Sequence, residues 1–425
     1  MLKKIKKLIL KSDEFLYKKF GSSKSIKVLE NIKEAEVIFS YLNTVGEKSK
    51  VRFVGGCIRK ALCGEQVDDI DLATSLEPNA VKEKLLKNNV KVIDTGIEHG
   101  TLTAIINNKK FEITTLRKDL KTDGRHADVE FTLNWEEDAS RRDFTINAIY
   151  ADIEGRIFDP LNGRSDLKNK LIKFIGSPEE RIQEDYLRIL RYFRFFLQYS
   201  DNKHDEGVLK SIKKYINGIN HLSKERIFDE LKKILILKNL YKIFAENKSR
   251  EIILSIFPQF KYYERLMVFN KINRNIIKNY DSCLILALLV VDKSNNHEYF
   301  CHKYKTSNII KKRLSNISQN FENIKSKSFF SIENIKKKIY LLGKDRVIDL
   351  LLFSLCLNKF KNINILELIN YTQAYKMPKF PISGNYLKEQ GYHDGILLGD
   401  KLKKLEEKWI NNNFVIDKND IKIIK

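Results

Sequence analysis

A chain of 425 residues with 43% apolar content can bury more than one core, and its formal charge of +23, from 78 Lys and Arg against 55 Asp and Glu, favours a polyanionic partner such as nucleic acid or an anionic membrane surface. Lys, Asn and Ile are abundant throughout, so part of that charge reflects overall composition. Five cysteines (Cys57, Cys63, Cys283, Cys301 and Cys356), an odd number without CxxC spacing, argue against a disulfide framework or a zinc site and fit reduced thiols in a cytosolic protein.

The opening MLKKIKKLIL has a basic start but a short apolar part that runs straight into Ser12, Asp13 and Glu14. It reads as a basic amphipathic helix over residues 1–25 rather than a signal. From Val51 to Phe131 the pattern is strand-like: VRFV, a GG turn, IDLAT, a helix from Pro78 through Lys87, KVIDT, and then TLTAIIN and FEITTL. The last two runs alternate in polarity around a short Asn/Lys turn, which predicts a β-hairpin. Mixed strands with one or two helices predict a small α/β head. After Ile175 Pro and Gly become scarce and Leu, Ile, Lys and Asn recur at helical spacing, so the rest is expected to be mostly helical. The longest apolar run, CLILALLVV from Cys283 to Val291, is too short to span a bilayer and reads as a buried helix. Beyond Pro378 and Pro381, GNYLKEQGYHDGILLGDKL reads as short helices joined by tight turns.

Three stretches carry candidate chemistry. In VRFVGGCIRKALCG, Gly55 and Gly56 lie between a strand and a helix, where bare backbone N–H groups can approach phosphate oxygens, and Arg59 follows one turn later, suited to the same anion. An ordinary tight turn would look the same. In DDIDLAT, Asp69 and Asp71 are two apart and project from one side of a strand. Such a pair is unfavourable without a cation, and hard oxygen ligands suit magnesium, although a solvated strand end is the plain alternative. Asp68 points the other way, while Glu112 in FEITTL adds a third carboxylate if its strand lies beside IDLAT. The third stretch, QEDYLRILRYFRF, spaces Asp185, Arg188, Arg191 and Arg194 three apart, predicting one helix with a polar stripe and a buried aromatic side of Tyr192, Phe193 and Phe195. A solvated ion-pair face is the plain reading of that stripe.

Taken in order, GGxxR (Gly55, Gly56, Arg59), DxD (Asp69, Asp71), EHGT (Glu98 to Thr101), FEITTLRKD, TDGRHADVEF, RRDFTINA (Arg141 to Ala148), DPLNG and EDYLRILRYFRF resemble the class II nucleotidyltransferases, specifically the tRNA CCA-adding enzymes, over most of residues 50 to 200. The resemblance implies an α+β chain with a polymerase-beta-like nucleotidyltransferase head built on a small mixed sheet (residues 26–165). Mostly α-helical neck (166–235), body (236–340) and tail (341–425) domains would follow, the last binding tRNA. It implies a cytoplasmic enzyme that adds C, C and A to tRNA lacking its 3' CCA end, from CTP and ATP, with neither a membrane nor a protein partner. Two Mg2+ ions would be held by Asp69 and Asp71, with Glu112 at the third acidic position. Gly55, Gly56, Arg59, Arg142 and Asp143 would contact the ribose and triphosphate. Asp185 and Arg188 would read the incoming base, Glu184 would orient Arg188, and Arg191 would lie near the nucleotide or brace the pair. Residues 116–129 match the family's flexible loop.

Three positions depart from the family pattern: Lys60 and Tyr386 stand where Asp is usual, and Asn162 where glycine is common. Bacterial poly(A) polymerases share the head, the acids and the EDxxR helix, but EHGT is more similar to the CCA group. A catalytically silent RNA-binding protein on the same scaffold would be expected to lose Asp69 or Asp71, and both are present. The pairs His204-Asp205 and His393-Asp394 suggest a phosphohydrolase only if a coherent ligand set surrounds them. A basic membrane-surface protein follows from charge alone.

Overall fold

Alternating polarity in the first half of the chain produces strands, and the computed structural model describes them within Leu29 and residues 32–43, 50–123, 126–272, 280–357 and 364–416. The helix expected over residues 1–25 lies outside the described residues. By contact density the chain divides into two units, Met1–Glu230 and Leu231–Lys425.

The first unit is built on a seven-stranded sheet in the order β3-β4-β5-β2-β1-β8-β9. Its strands are β1 Val51–Val54, β2 Ile70–Thr74, β3 Lys91–Gly96, β4 Thr101–Ile106, β5 Lys109–Thr115, β8 Tyr150–Ala151 and β9 Ile157–Phe158. The expected β4–β5 hairpin forms, and Asn107 and Asn108 take its tight turn at φ 50° and 64°. Asparagine tolerates that left-handed backbone better than other side-chain-bearing residues. β2 and β5 run parallel while the other neighbouring pairs are antiparallel.

Side chains alternate across this sheet. Val51, Phe53, Ile70, Leu72, Phe111 and Ile113 face a core completed by α1 Lys33–Leu42, α2 Gly56–Leu62 and α3 Pro78–Lys87, through Ile38, Phe39, Ile58, Val81 and Leu85. Val54 and Ala73 face the opposite side, with Leu116, Ala139, Tyr150 and Ile175. Asp71 shares this second face with Ala73. The three helices therefore cover one side of the sheet, and the acids lie on the other.

A separate hairpin, β6 Arg117–Asp123 with β7 His126–Phe131, accounts for most of the 116–129 segment. Next come α4 Trp135–Ser140 and α5 Gly163–Lys168. Asn162 precedes α5 at φ 58°, so the departure from glycine falls on a position that asparagine accepts. The helices of residues 178–235 are α6 Pro178–Glu184, α7 Leu187–Tyr199, α8 Glu206–Tyr215 and α9 Lys224–Leu235.

The expected single helix through 183–195 is therefore two. Asp185 adopts an extended backbone (φ −152°, ψ 105°) and its Oδ1 accepts the Leu187 N–H at 3.1 Å. Aspartate is weak inside a helix because its side chain competes for nearby backbone N–H groups, and here it ends α6 and takes up the first N–H of α7 from one residue before the N-cap, Tyr186. The aromatic side behaves as expected, with Tyr192, Phe193 and Phe195 buried.

The described part of the second unit is helical, from Tyr241–Ala245 to Ile396–Asn411. Its apolar run forms helix Ser282–Val290, buried from Cys283 onward. No described helix is long and apolar enough to cross a membrane. The five cysteines are free. The HD pairs have structural partners: the His204 ring stacks on Phe196 at 3.5 Å between centroids, Asp205 caps α8 at Val208 N (3.0 Å), and Asp394 pairs with Lys388 at 2.6 Å.

Candidate active site

Parallel pairing of β2 with β5 puts Asp71 directly opposite Glu112. Asp69 lies two residues before Asp71, just outside the strand. Burial pushes the Asp71 carboxyl from its ordinary 3.8 up to about 6, Glu112 and Asp69 add to the rise, and Arg142 and Arg59 oppose it. Among the described residues no three carboxylate, imidazole or thiolate groups are already gathered as a metal cage. A half-buried carboxylate crowded by two others nevertheless has the chemistry of a cation ligand. Asp68 faces Lys60 across 3.5 Å in an exposed pair, so the lysine that departs from the family pattern has its own partner.

The glycine turn lies against these acids. Gly55 holds φ +71°, where a side chain would be strained, and starts α2. A methyl on Gly55 would stand 3.7 Å from Arg142 Nη1, and one on Gly56 would stand 3.8 Å from Asp71 Oδ2. These are ordinary contact distances, so it is the left-handed backbone of Gly55, more than crowding, that calls for glycine at this turn.

Arg59 differs from the exposed clamp the sequence suggests. It is buried, with its guanidinium over the rings of Phe195 (4.6 Å) and Tyr199 (5.1 Å) of α7, and Nη1 donates to Asn147 Oδ1. Asn147 Nδ2 in turn donates to Asp143 Oδ1 at 2.8 Å, and Asp143 Oδ2 accepts from Arg191 Nε at 2.6 Å. Burial pushes the Asp143 carboxyl up, but Arg191, Asn147 and Arg188 outweigh it and hold the group down at about 2. Both Asp143 oxygens are thus engaged by protein, and a line of side chains runs from the glycine turn to α7.

Arg142 is aimed by a residue that the motifs alone do not single out. Asp138, 1% exposed, accepts from Arg142 Nη2 at 3.0 Å, Arg141 Nη2 at 2.6 Å and the Tyr150 hydroxyl at 2.7 Å. Its position three and four residues before the arginines on α4 is the signal that could have found it.

At the junction of α6 and α7 the polar stripe is fully partnered, but not internally. Arg188 Nη1 donates to Glu184 Oε2 at 2.5 Å and to the Arg181 carbonyl at 3.0 Å. Asp185 Oδ2 accepts from Arg226 Nη2 of α9 at 2.8 Å, and Arg194 pairs with Glu230. Asp185 and Arg188 are adjacent through the Arg188 N–H to Asp185 carbonyl bond at 3.0 Å, without a side-chain pair between them. Arg226, 41 residues from Asp185, had no local signal.

A mixed sheet that aligns carboxylates beneath a glycine turn, with arginines around them, defines a nucleotidyltransferase head. Residues 51–173 match the family described as "Poly A polymerase head domain", and 204–264 match "Probable RNA and SrmB- binding site of polymerase A". Over 396 residues the chain is 32% identical to the CCA tRNA nucleotidyltransferase 1, mitochondrial, of Homo sapiens, covering 89% of this chain and 86% of that one. The chain belongs to the CCA tRNA nucleotidyltransferase family. It is also 31% identical to the CCA-adding enzyme of Lactobacillus helveticus, covering 84% of this chain and 87% of that one. Its fold is similar to the crystal structure of the Bacillus stearothermophilus CCA-adding enzyme in complex with CTP, with TM-score 0.66 at 22% identity, covering 93% and 95% of the two chains.

Proposed function

We propose that this chain adds C, C and A to the 3' end of tRNA from CTP and ATP without a nucleic acid template. The 3'-hydroxyl oxygen of the primer forms a bond to the α-phosphorus, and the bond to the β-phosphate oxygen breaks, releasing pyrophosphate. The observation that carries the reading is the unbroken line of side chains from Arg59 through Asn147 and Asp143 to Arg191. It ties the helix that follows the glycine turn to α7, so one nucleotide could engage the turn and the helix that carries Arg188 together.

Asp69 and Asp71, with Glu112 beside them, are the residues that would hold magnesium, which when bound acidifies the attacking hydroxyl and screens phosphate charge. The protein's own contribution is placement. Gly55 and Gly56 offer bare backbone to the triphosphate, and Arg142, braced by Asp138, offers Nη1 on the same side. Asp143 and Arg191 fix the wall between triphosphate and base.

Cytosine and adenine both present a donating amine beside an accepting ring nitrogen, whereas uracil and guanine reverse that order. An acceptor from Asp185 next to a donor from Arg188 complements the first pair only. Arg226 and Glu184 hold the Asp185 carboxylate and the Arg188 guanidinium in place without pairing them to each other, and an incoming base would meet them as a braced acceptor and donor. The neck, body and tail divisions at residues 166–235, 236–340 and 341–425 complete this reading, with the excess of Lys and Arg facing tRNA phosphates and free thiols fitting the cytoplasm.

The test is incubation with tRNA lacking its 3' CCA, with CTP, ATP or both, and products read at nucleotide resolution. Two additions with CTP and three with both are expected. A long tail from ATP alone would make the chain a poly(A) polymerase, and tRNA binding without turnover would make it a silent RNA-binding protein. Within the site, Arg188→Ala or Asp185→Ala is expected to reduce discrimination against UTP and GTP by about tenfold to a hundredfold, since mismatched buried polar groups cost about 1–3 kcal/mol. Unchanged misincorporation ratios would rule out base reading by these residues.

A further inference from the structure

The residue between Asp185 and the first turn of α7 is Tyr186, and its ring lies directly on the backbone of Gly218. A Cβ placed on Gly218 would come within 2.0 Å of Tyr186 Cε1 and 2.1 Å of Cδ1. Ordinary carbon contacts need about 3.5–4.0 Å, so no side chain fits between ring and backbone. Gly218 is buried in the tight helical segment Ile216–His221, which leads towards α9. The His221 ring closes the same site at 6.4 Å between centroids. Five residues later, Arg226 grips Asp185 at 2.8 Å. The stretch from Gly218 to Arg226 thus holds both residues of the α6–α7 break, one through a ring and the other through a carboxylate.

We infer that Gly218 is a positioning residue for base selection: its bare backbone seats Tyr186, and that seat sets where the Asp185 carboxylate stands relative to Arg188. This rests on the reading of Asp185 and Arg188 as the base-reading pair. Gly218 touches no substrate. It acts through the Tyr186 ring, whose own backbone carbonyl accepts the Ile189 N–H at 3.2 Å in the first turn of α7. A methyl at Gly218 displaces the ring, and because Tyr186 is one bond from Asp185 in the chain, the junction shifts with it.

The experiment compares Gly218→Ala, Tyr186→Ala, Gly218→Ala/Tyr186→Leu and Arg188→Ala on CCA-lacking tRNA. It measures KM and kcat for CTP and ATP and misincorporation of UTP and GTP. Gly218→Ala is expected to raise the KM for CTP and lower CTP-over-UTP discrimination by about tenfold, with a much smaller change in kcat. Tyr186→Ala removes the strut without adding an atom to the interior and is expected to lower discrimination similarly. The double variant, in which a smaller side chain meets the added methyl, is expected to recover discrimination relative to Gly218→Ala. A merely structural role would lower the melting temperature and all activities together without that recovery. The inference is overturned if Gly218→Ala melts like the parent and selects like it, or if Tyr186→Ala selects normally. If Arg188→Ala also leaves selection intact, the base-reading assignment itself has failed. If only Arg188→Ala disturbs selection, the assignment stands and the Gly218 seat is wrong.

Discussion

Asp71→Asn is expected to lower incorporation of CMP and AMP by about a thousandfold, equivalent to about 4 kcal/mol of lost transition-state stabilisation. The asparagine amide matches the carboxylate in size but lacks its charge, so a divalent cation loses a ligand while the strand keeps its shape. Stability should move the other way. Burial and the neighbouring Glu112 and Asp69 raise the folded-state value of Asp71 from 3.8 to about 6, so the native state binds that proton more tightly than the unfolded chain does. The associated stabilisation is present below pH 3.8 and is lost as pH rises through 6. Without divalent ions at pH 7.5 the parent therefore carries an unfavourably buried carboxylate charge that Asp71→Asn removes, a difference of about 3 kcal/mol in favour of the variant. Single-turnover incorporation and thermal melting in chelator check the two halves. Appreciable incorporation by a well-folded Asp71→Asn protein would refute the assignment of this carboxylate.

What could be read from the sequence was whatever depends on near neighbours. The β4–β5 hairpin, the helix starting at Pro78 and the buried aromatics of α7 follow from alternation, proline placement and helical spacing. The Gly55 turn and the Asp69/Asp71 pair were legible for the same reason. Glu112 could be named but not placed, because hairpin pairing of β4 with β5 does not dictate that β5 also lies parallel to β2. The break at Asp185 was obscured by a polar stripe whose three-residue spacing fits one continuous helix. Its cause, a carboxylate that takes a backbone N–H two residues on, was available in the residue type.

Partners far along the chain were beyond reach. Arg226 meets Asp185 and Gly218 seats Tyr186 only because later helices fold back on the junction. Arg59 shows the same limit in a different form. Its place one turn after the glycines suggests an exposed phosphate clamp, yet α7 covers it with Phe195 and Tyr199 and turns it into the first link of a buried relay. In this site the motif residues hold one another as much as they face a substrate, which makes the group that aims the arginines the most sensitive point for stability.

That group is Asp138, and Asp138→Ala is expected to cost about 3–5 kcal/mol, the usual penalty for removing one partner of a buried ion pair. Arg141 and Arg142, with side chains 14% and 18% exposed, would lose their carboxylate, and the Tyr150 hydroxyl would lose its acceptor. Freed from Asp138, Arg142 is drawn towards Asp71, whose carboxyl already feels its charge, and there it competes with a cation. Nucleotide incorporation should therefore fall together with stability, and raising the magnesium concentration should restore part of the activity but none of the melting temperature. Asp138→Asn keeps an acceptor for Tyr150 and should be intermediate in stability. The acid limb gives an independent check. Burial raises the Asp138 carboxyl, but Arg142 and Arg141 outweigh it and hold it well below 3.8, while Asp143 is held at about 2. Lowered folded values stabilise above the unfolded value and lose that contribution as pH falls through the folded one. The parent should thus lose stability steeply between about pH 4 and pH 2, and Asp138→Ala should show a shallower loss over that window, because one of the buried groups responsible is gone. Melting curves of parent and variant that run parallel from pH 6 to pH 2 would show that the Asp138 carboxylate is not held by its arginines.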